Sequence, residues 1–492
     1  MVSNMVKTGI VASVGVAVII LSSTLGWILV PDIAAKQAII TSDNEALYEV
    51  WRSPPVPFFI QFFLFNCTNC EDPTDNSVVF NLTQLGPFTF SEKREKFNIT
   101  EKDGLLTYLE EVSYYYEPTE KETSLDAVIV TVNPIYFTLA SLIVDYAPPG
   151  SEDELSGIMH RLLNSIGEGP FMTRTVGELI FEGWELDGYI GIIQMLSDLL
   201  GVPLPPLPED PRFGYYYGTN NSNAGELVVE SGANGLDTLG LIRKWKGKEN
   251  LNYWNDQYCD MINGTDGAIY PPLVDASKKT YIFVSDLCRS IYTTYERDIE
   301  TMGITSNRFT VPSEVFDDKN EDNTCYCRFY DKDPNLCFSA GILDMRPCQF
   351  GAPILLSTPH FYMGDEKYSN AFIGVEPNKE WHETHIDLEP LTGVPVFISE
   401  RIQINIDVQR YAVPSKFLNI NNTVFPVFWI NETAVLDQPS ADDVTLAINV
   451  INALNISRWC FLGAGIVLVI AGFIMIVVYF PVILFSCLQF LR

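Results

Sequence analysis

The run Val56-Pro-Phe58-Phe-Ile-Gln-Phe-Phe-Leu-Phe65 is aromatic or aliphatic at nearly every position, with no alternation of apolar and polar residues. That pattern predicts a strand buried on both faces, of the kind found inside a large sheet. Working outward, shorter runs rich in β-branched and aromatic residues stand between turn signals: Thr107 to Tyr116, Ala127 to Val132, Lys279 to Val284, Val394 to Ser399 and Ile402 to Val408. Helical spacing is confined to one stretch. After Pro148-Pro-Gly150, Ser151 and Glu154 form a candidate capping box, and Leu155, Ile158, Met159, Leu162, Leu163 and Ile166 recur at the helical period. Thr175 with Glu178 is a second candidate box, opening Leu179 to Trp184, and Tyr189 to Leu200 predicts a third amphipathic helix ended by the Pro203 to Pro208 run. Strands, then a helical insertion near 136–202, then strands again predict one large mixed domain of the α+β class.

The two ends of the chain have a different chemistry. No acidic residue occurs from Met1 to Val30 or from Trp459 to Arg492, so all 62 Asp and Glu lie between Pro31 and Arg458. That middle segment holds 29 of the 31 Lys and Arg, a formal charge of −33, yet the chain as a whole is 47% hydrophobic with a positive mean hydropathy. Such acidity excludes nucleic-acid binding by counterion release, and the apolar content excludes a disordered acidic chain. Thr8 to Val30 supplies 23 nearly uncharged residues, about 34 Å of helix, enough for a hydrocarbon core of about 30 Å. Trp459 to Phe485 is a second apolar run, with Trp459 at one interface and Tyr479 and Pro481 toward the other. The expected organisation is a stub over 1–7, a membrane helix over 8–30, an outer domain over 31–458, a membrane helix over 459–485 and a tail over 486–492.

Sequons decide which side the middle faces. Asn66, Asn81, Asn98, Asn220, Asn263, Asn421 and Asn431 are candidate N-glycosylation sites, and Asn455 is an eighth sequon too near the membrane to be reached. Cys67, Cys70, Cys259, Cys288, Cys325, Cys327, Cys337 and Cys348 make an even set outside the spans, as expected of an oxidising compartment, and eight cysteines allow 105 pairings. The domain therefore faces outward or into a lumen, and both termini are cytoplasmic. Cys487, at the inner end of the second span, is a palmitoylation candidate.

Several longer motifs then follow in a fixed order. Trp51-Arg-Ser-Pro-Pro-Val-Pro57 leads into the aromatic strand, which ends in Phe65-Asn-Cys-Thr-Asn69. After it come Gly86-Pro-Phe-Thr-Phe90, Tyr258-Cys-Asp-Met-Ile-Asn-Gly-Thr-Asp266, Asp286-Leu-Cys-Arg-Ser-Ile-Tyr292, Pro359-His-Phe361, Glu376-Pro-Asn378 and Asp387-Leu-Glu-Pro-Leu-Thr-Gly393. Together with the two spans, these motifs resemble the class B scavenger receptors over essentially the whole chain. The resemblance implies an irregular antiparallel β-barrel, a helical bundle at the apex and a hydrophobic tunnel leading to the bilayer. It implies a cell-surface receptor that binds lipids or lipoprotein particles and passes lipid to the membrane: fatty acids, sterols, carotenoids or phospholipids. It is compatible with a homo-oligomer, implies no cofactor, and places Leu155, Met159, Leu162 and Leu163 at the ligand-binding apex. It also implies the pairs Cys259 with Cys325, Cys288 with Cys348 and Cys327 with Cys337. Cys67 and Cys70 fall outside that pattern, which leaves a bond between them or two free thiols.

Two departures bear on ligand and location. Members that take up oxidised lipoprotein use lysines on the helical cap, whereas Ser151 to Glu185 holds seven acids against Arg161 and Arg174. A neutral lipid, a sterol or carotenoid carrier, or a basic partner suits that surface better than a polyanion. Arg243-Lys-Trp-Lys246 with Lys248 is the other candidate anion site, or else a solvated turn. One branch of the family is lysosomal, carries a soluble hydrolase on the cap and ends in an acidic dileucine signal. Ser486-Cys-Leu-Gln-Phe-Leu-Arg492 has no such signal, which favours the plasma membrane. An ectoenzyme is disfavoured: no GxSxG elbow, GxxxxGK[ST] or GxGxxG occurs, and His382 with His385 lies within a family motif.

Overall fold

The computed structural model describes residues 2–24, 36–70, 78–118, 124–203, 210–327, 337–409 and 421–490, with backbone only for 2–9 and 479–490. The strand Phe58–Cys67 lies in the middle of an antiparallel path within a 15-stranded sheet. Its neighbours on one side are, in order, Phe80–Lys102, Leu105–Tyr116, Leu227–Glu230 and Ile242–Trp245. On the other side run Thr423–Val435, Pro395–Val408, His385–Leu388, Ile304–Thr310, Arg289–Thr301 and Thr280–Val284. The two ends of the path meet through one turn. Ile242 N donates to Gly264 O at 2.9 Å, and Phe283 N donates to Thr265 O at 2.9 Å. Gly264 has φ +94°, and a Cβ there would stand 2.1 Å from Tyr281 O, so only glycine fits the closure. The sheet is thereby curled into a nearly closed barrel.

The first strand is less uniformly buried than its composition implies. Ile60, Phe62, Leu64 and Phe65 are buried, but Phe59 is 37% exposed. Its outer face is covered only toward the C-terminal end, where Phe63 stacks on Trp429 at 3.9 Å and Phe65 meets His360 at 5.1 Å. Val394 to Ser399 and Ile402 to Val408, read as two strands, form the single strand Pro395–Val408.

The insertion is a bundle of helices Pro134–Tyr146, Glu152–Ser165 and Asp187–Leu200 beside the two-stranded pair Val128–Val132 and Phe171–Thr175. Asn133 starts the first helix, accepting from Ile135 N and Tyr136 N, with Pro134 at the opening position. Ser151 does not cap its helix: its backbone is already helical, and its hydroxyl donates to Pro148 O at 2.6 Å. The Thr175 and Glu178 box does form, with Thr175 N donating to Glu178 Oε2 at 2.8 Å and Glu178 N to Thr175 Oγ1 at 3.2 Å. It opens only one wide turn, Glu178–Glu182, because Gly183 follows at φ +67° and Trp184 pairs with Phe213.

At the ends, helix Val2–Thr24 packs antiparallel against Gln438–Phe490. Small residues let the backbones approach: a Cβ on Gly15 would meet Val469 N at 2.8 Å, and one on Gly472 would meet the Ala12 Cβ at 2.8 Å. Gln438–Val478 is long and apolar enough to cross a membrane. The expected N-terminal span Thr8 to Val30 is helical to Thr24; residues 25–30 lie outside the described residues.

Candidate functional site

The barrel is hollow. A cavity of about 1260 Å³ is walled by side chains such as Ile60, Leu227, Ile242, Ile282 and Ile398, and its floor is made by Trp51, Pro54, Pro55 and the helix that starts at Gln438. Val444, Ala447, Val450, Ile451 and Leu454 line it at helical spacing, so one face of that helix belongs to the cavity before the same helix becomes the apolar run at Trp459. Val450, one of these lining residues, is 49% exposed.

The helices of the apex contribute nothing to that wall among the described residues. Leu155, Met159 and Leu163 turn into the bundle and are buried, and Leu162 is half-buried against it. These four residues pack in the cluster that holds the helices together. A stripe at the helical period marks a core face in a soluble bundle just as well as a docking face. The acids around them are divided. Asp153 and Glu154 are exposed, whereas Glu168 pairs with Arg174 and Glu185 with Arg212. The basic run near Trp245 is also committed: Arg243 bonds Glu230 at 2.9 Å, Lys244 bonds Glu249 at 3.1 Å, and Lys246 lies over the Trp245 ring.

One side of the cavity is charged. On Phe80–Lys102 the inward positions run Phe88, Phe90, Glu92, Arg94 and Lys96, so the alternation that buries phenylalanine continues into ionised groups. Arg94 Nη2 bonds Glu92 Oε2 at 2.8 Å and also Glu432, while Lys96 Nζ bonds Glu110 Oε1 at 2.6 Å. Glu400 lies directly opposite Glu432 in the strand ladder, and Asp286 is a further acid on the same wall. Burial, then the neighbouring Glu432, pushes Glu92 up to about 7 and Glu400 up to about 8. Burial also raises Asp286, whereas Glu110, although buried, is held below the usual carboxylate range by Lys96 and Arg94.

The histidines form a separate post outside the cavity. His360 and His382 stack at 4.4 Å, nearly parallel. His360 Nδ1 accepts from Glu376 N and His382 Nδ1 accepts from Asn378 N, so the Glu376-Pro-Asn378 motif holds both rings neutral. Burial pushes them down to about 4 and about 3. His360 Nε2 and Trp429 Nε1 each lie 2.8 Å from Gln84 Oε1. His385 packs on Phe397 in its strand, and Asp387 accepts two 2.7 Å hydrogen bonds from Arg308. The chemistry of these motifs is that of a polar scaffold.

The structure joins Cys259 to Cys325, Cys288 to Cys348, Cys327 to Cys337 and Cys67 to Cys70. The sequon asparagines differ in setting. Asn98, Asn220 and Asn421 are exposed, and Asn81 and Asn263 are half-buried. Asn431 donates to Gln61 Oε1 and accepts from Ser399 Oγ, and Asn66 Oδ1 accepts from Val130 N. The side chain of Cys487 lies outside the described ones.

Residues 9–476 match the model of the CD36 family. The chain belongs to that family, the class B scavenger receptors. It is 31% identical over 422 residues to lysosome membrane protein 2 of Rattus norvegicus, covering 85% of this chain and 83% of the relative. It is 28% identical over 448 residues to scavenger receptor class B member 1 of Mus musculus, covering 89% and 83%. It is 27% identical over 452 residues to sensory neuron membrane protein 2 of Heliothis virescens, covering 89% and 86%. Within this family frame the shared motifs are mostly structural: Gly264 closes the barrel, and a Cβ on Gly393 would stand 2.5 Å from Tyr270 O. The charged wall is the feature that sequence reading missed. Its signal was present in the parity of Glu92, Arg94 and Lys96 with Phe88 and Phe90, but a run of mixed charges reads first as a solvated face.

Proposed function

We propose that the protein is a cell-surface receptor that binds lipids or lipid-carrying particles outside the membrane and lets lipid pass through the barrel cavity to the bilayer. The observation that carries this reading is the cavity itself. It is apolar over most of its wall, larger than the roughly 300–1,000 Å³ of an ordinary ligand pocket, and floored by a helix that continues into an apolar segment long enough to cross a membrane. An alkyl chain gains about 0.8 kcal/mol per buried CH₂, so transfer from a carrier to the cavity and on to lipid needs no nucleotide. Particle docking and conduction are separate tasks here, since no apex helix lines the cavity among the described residues. Two membrane helices, cytoplasmic termini, glycans first at the exposed Asn98, Asn220 and Asn421, and acylation at Cys487 belong to the same proposal.

The test is mass spectrometry of lipids that co-purify with the detergent-extracted full chain, compared with Ala447→Trp, which places a bulky ring on the floor of the cavity. Single-chain or sterol lipids should accompany the parent and be depleted in the variant. Equal lipid in both would overturn the conduit. The relatives named lysosome membrane protein 2 favour a second reading, in which the protein resides in lysosomes and carries a soluble hydrolase on its apex. Co-localisation with a lysosomal marker and absence from surface biotinylation would reverse the order of the two.

A further inference from the structure

No apex helix lines the cavity among the described residues, so lipid arriving from the helical insertion has to cross the barrel wall. Where the insertion meets that wall, the lining residues are Tyr114 and Tyr216. Their rings stand 6.3 Å apart and nearly perpendicular, which leaves a seam between them. Phe181 lies across the seam, 5.0 Å from Tyr114 and 5.6 Å from Tyr216, and it also meets Phe62 at 5.8 Å and Phe90 at 4.8 Å. Phe62 and Phe90 are buried. Phe181 is only half-buried, and it is not a lining residue, so its open side faces away from the cavity. Its backbone is held in place. The wide turn Glu178–Glu182 is of a kind that is uncommon and recurs at functional sites. Tyr215 N donates to Leu179 O at 2.9 Å and Tyr216 N to Ile180 O at 2.8 Å, a close approach that Gly214 permits, since a Cβ there would stand 3.0 Å from Glu178 O. The turn and the segment carrying Tyr216 are therefore one unit, and the part left to move is the Phe181 ring. Neither the Tyr114 nor the Tyr216 hydroxyl makes a hydrogen bond among the described residues, so the seam is not pinned at its polar ends.

We propose that Phe181 is a gate between the apex side of the domain and the barrel cavity. With its ring against Tyr114 and Tyr216 the seam is sealed; with the ring turned toward its open side the seam admits an alkyl chain. The ring contacts given up on opening are replaced by the chain itself, whereas a charged head would lose its hydration against the same rings, so a lipid enters tail first. The inference rests on the cavity being a lipid conduit and names its outer entrance.

The full chain in nanodiscs, given photoreactive octadecanol by two routes, tests this. The probe is presented either on cyclodextrin from solution or already dissolved in the bilayer, and labelling of the cavity strands Pro395–Val408 and Thr423–Val435 is followed in time. From solution, Phe181→Ala should load about threefold faster than the parent and Phe181→Trp about threefold slower. From the bilayer all three should load alike, which reports that each is folded with its cavity intact. If Phe181→Ala does not fold, Phe181→Leu carries the same comparison with a gain of about twofold. Equal rates in parent and variants by both routes overturn the gate and leave the lipid cavity standing. A change of the same size by both routes overturns it as well, because that marks a loosened barrel and not an opened entrance. Absence of labelling by either route in the parent overturns the cavity reading itself.

Discussion

At the apex, Leu155, Met159 and Leu163 fill the space between three helices, and Asp153 and Glu154 stand outside in water. In the barrel the space is left open, with Glu400, Glu432 and Arg94 on its lining and Glu92 buried beside Arg94 on the same strand. Both regions are acidic, but a carboxylate in water costs little while an enclosed one is expensive unless it is neutralised or paired. The same substitution should therefore have different consequences in the two places. The sharpest case is Arg94→Ala, which would leave Glu92 and Glu432 enclosed without their cation. It should destabilise the domain by about 3–5 kcal/mol, read as a loss of thermal stability at pH 8. The loss should shrink at pH 5, where Glu92, pushed up to about 7, is protonated. An equal loss at both pH values would show that Arg94 acts by packing and not by charge.

The apex should fail for a different reason. Leu163 is completely buried in the cluster formed by the three helices, so Leu163→Ala removes packed atoms and leaves a void. About 2–5 kcal/mol should be lost, with no dependence on pH between 5 and 8. Lipid labelling in the folded fraction should be unchanged, because this helix does not line the cavity. If labelling fell with folding intact, the division between a packed apex and a conducting barrel would be wrong.

Glu400→Gln probes the interior with the opposite sign. An enclosed acid whose folded value lies near 8, against 4.5 in an unfolded chain, binds more protons when folded over that interval. Its contribution to stability is present below about pH 4.5 and declines as pH rises toward 8. Replacing it with glutamine should stabilise the protein at pH 8 by on the order of 2 kcal/mol, and should flatten the decline between pH 5 and 8. A destabilised variant at pH 8 would mean that Glu400 is neutralised by a partner.

These contrasts also mark what the sequence discloses. The aromatic strand, the order of strands around a helical insertion and the apolar ends are legible because burial over many residues leaves a periodic trace. The family resemblance carries the barrel. Ser151 misleads because capping depends on one residue's backbone angles, and the apolar stripe Leu155, Met159 and Leu163 gives a face without naming its partner, since amphipathic spacing carries no more than that. The pairing of Glu400 with Glu432 spans a register that only the folded sheet defines. Closure at Gly264 is equally hidden, since its glycine answers to a carbonyl from a strand well along the chain.

The smallest effect on stability is expected where the acids are most numerous in sequence. Glu152, Asp153 and Glu154 occupy the first turn of Glu152–Ser165, where each is favoured by the helix dipole by about 0.3–1 kcal/mol. Glu154→Gln should therefore cost about 0.5 kcal/mol, against the gain expected for Glu400→Gln. Its consequence lies at long range: the exposed acids repel polyanions within about 10 Å at moderate ionic strength. Neutralising all three should raise capture of oxidised lipoprotein at low salt by about threefold, with the difference vanishing as salt is added. Should the parent already capture that particle tightly through the apex at low salt, surface charge would not separate this receptor's ligands from those of its relatives, and the enclosed acids of the barrel would be left as the discriminating feature.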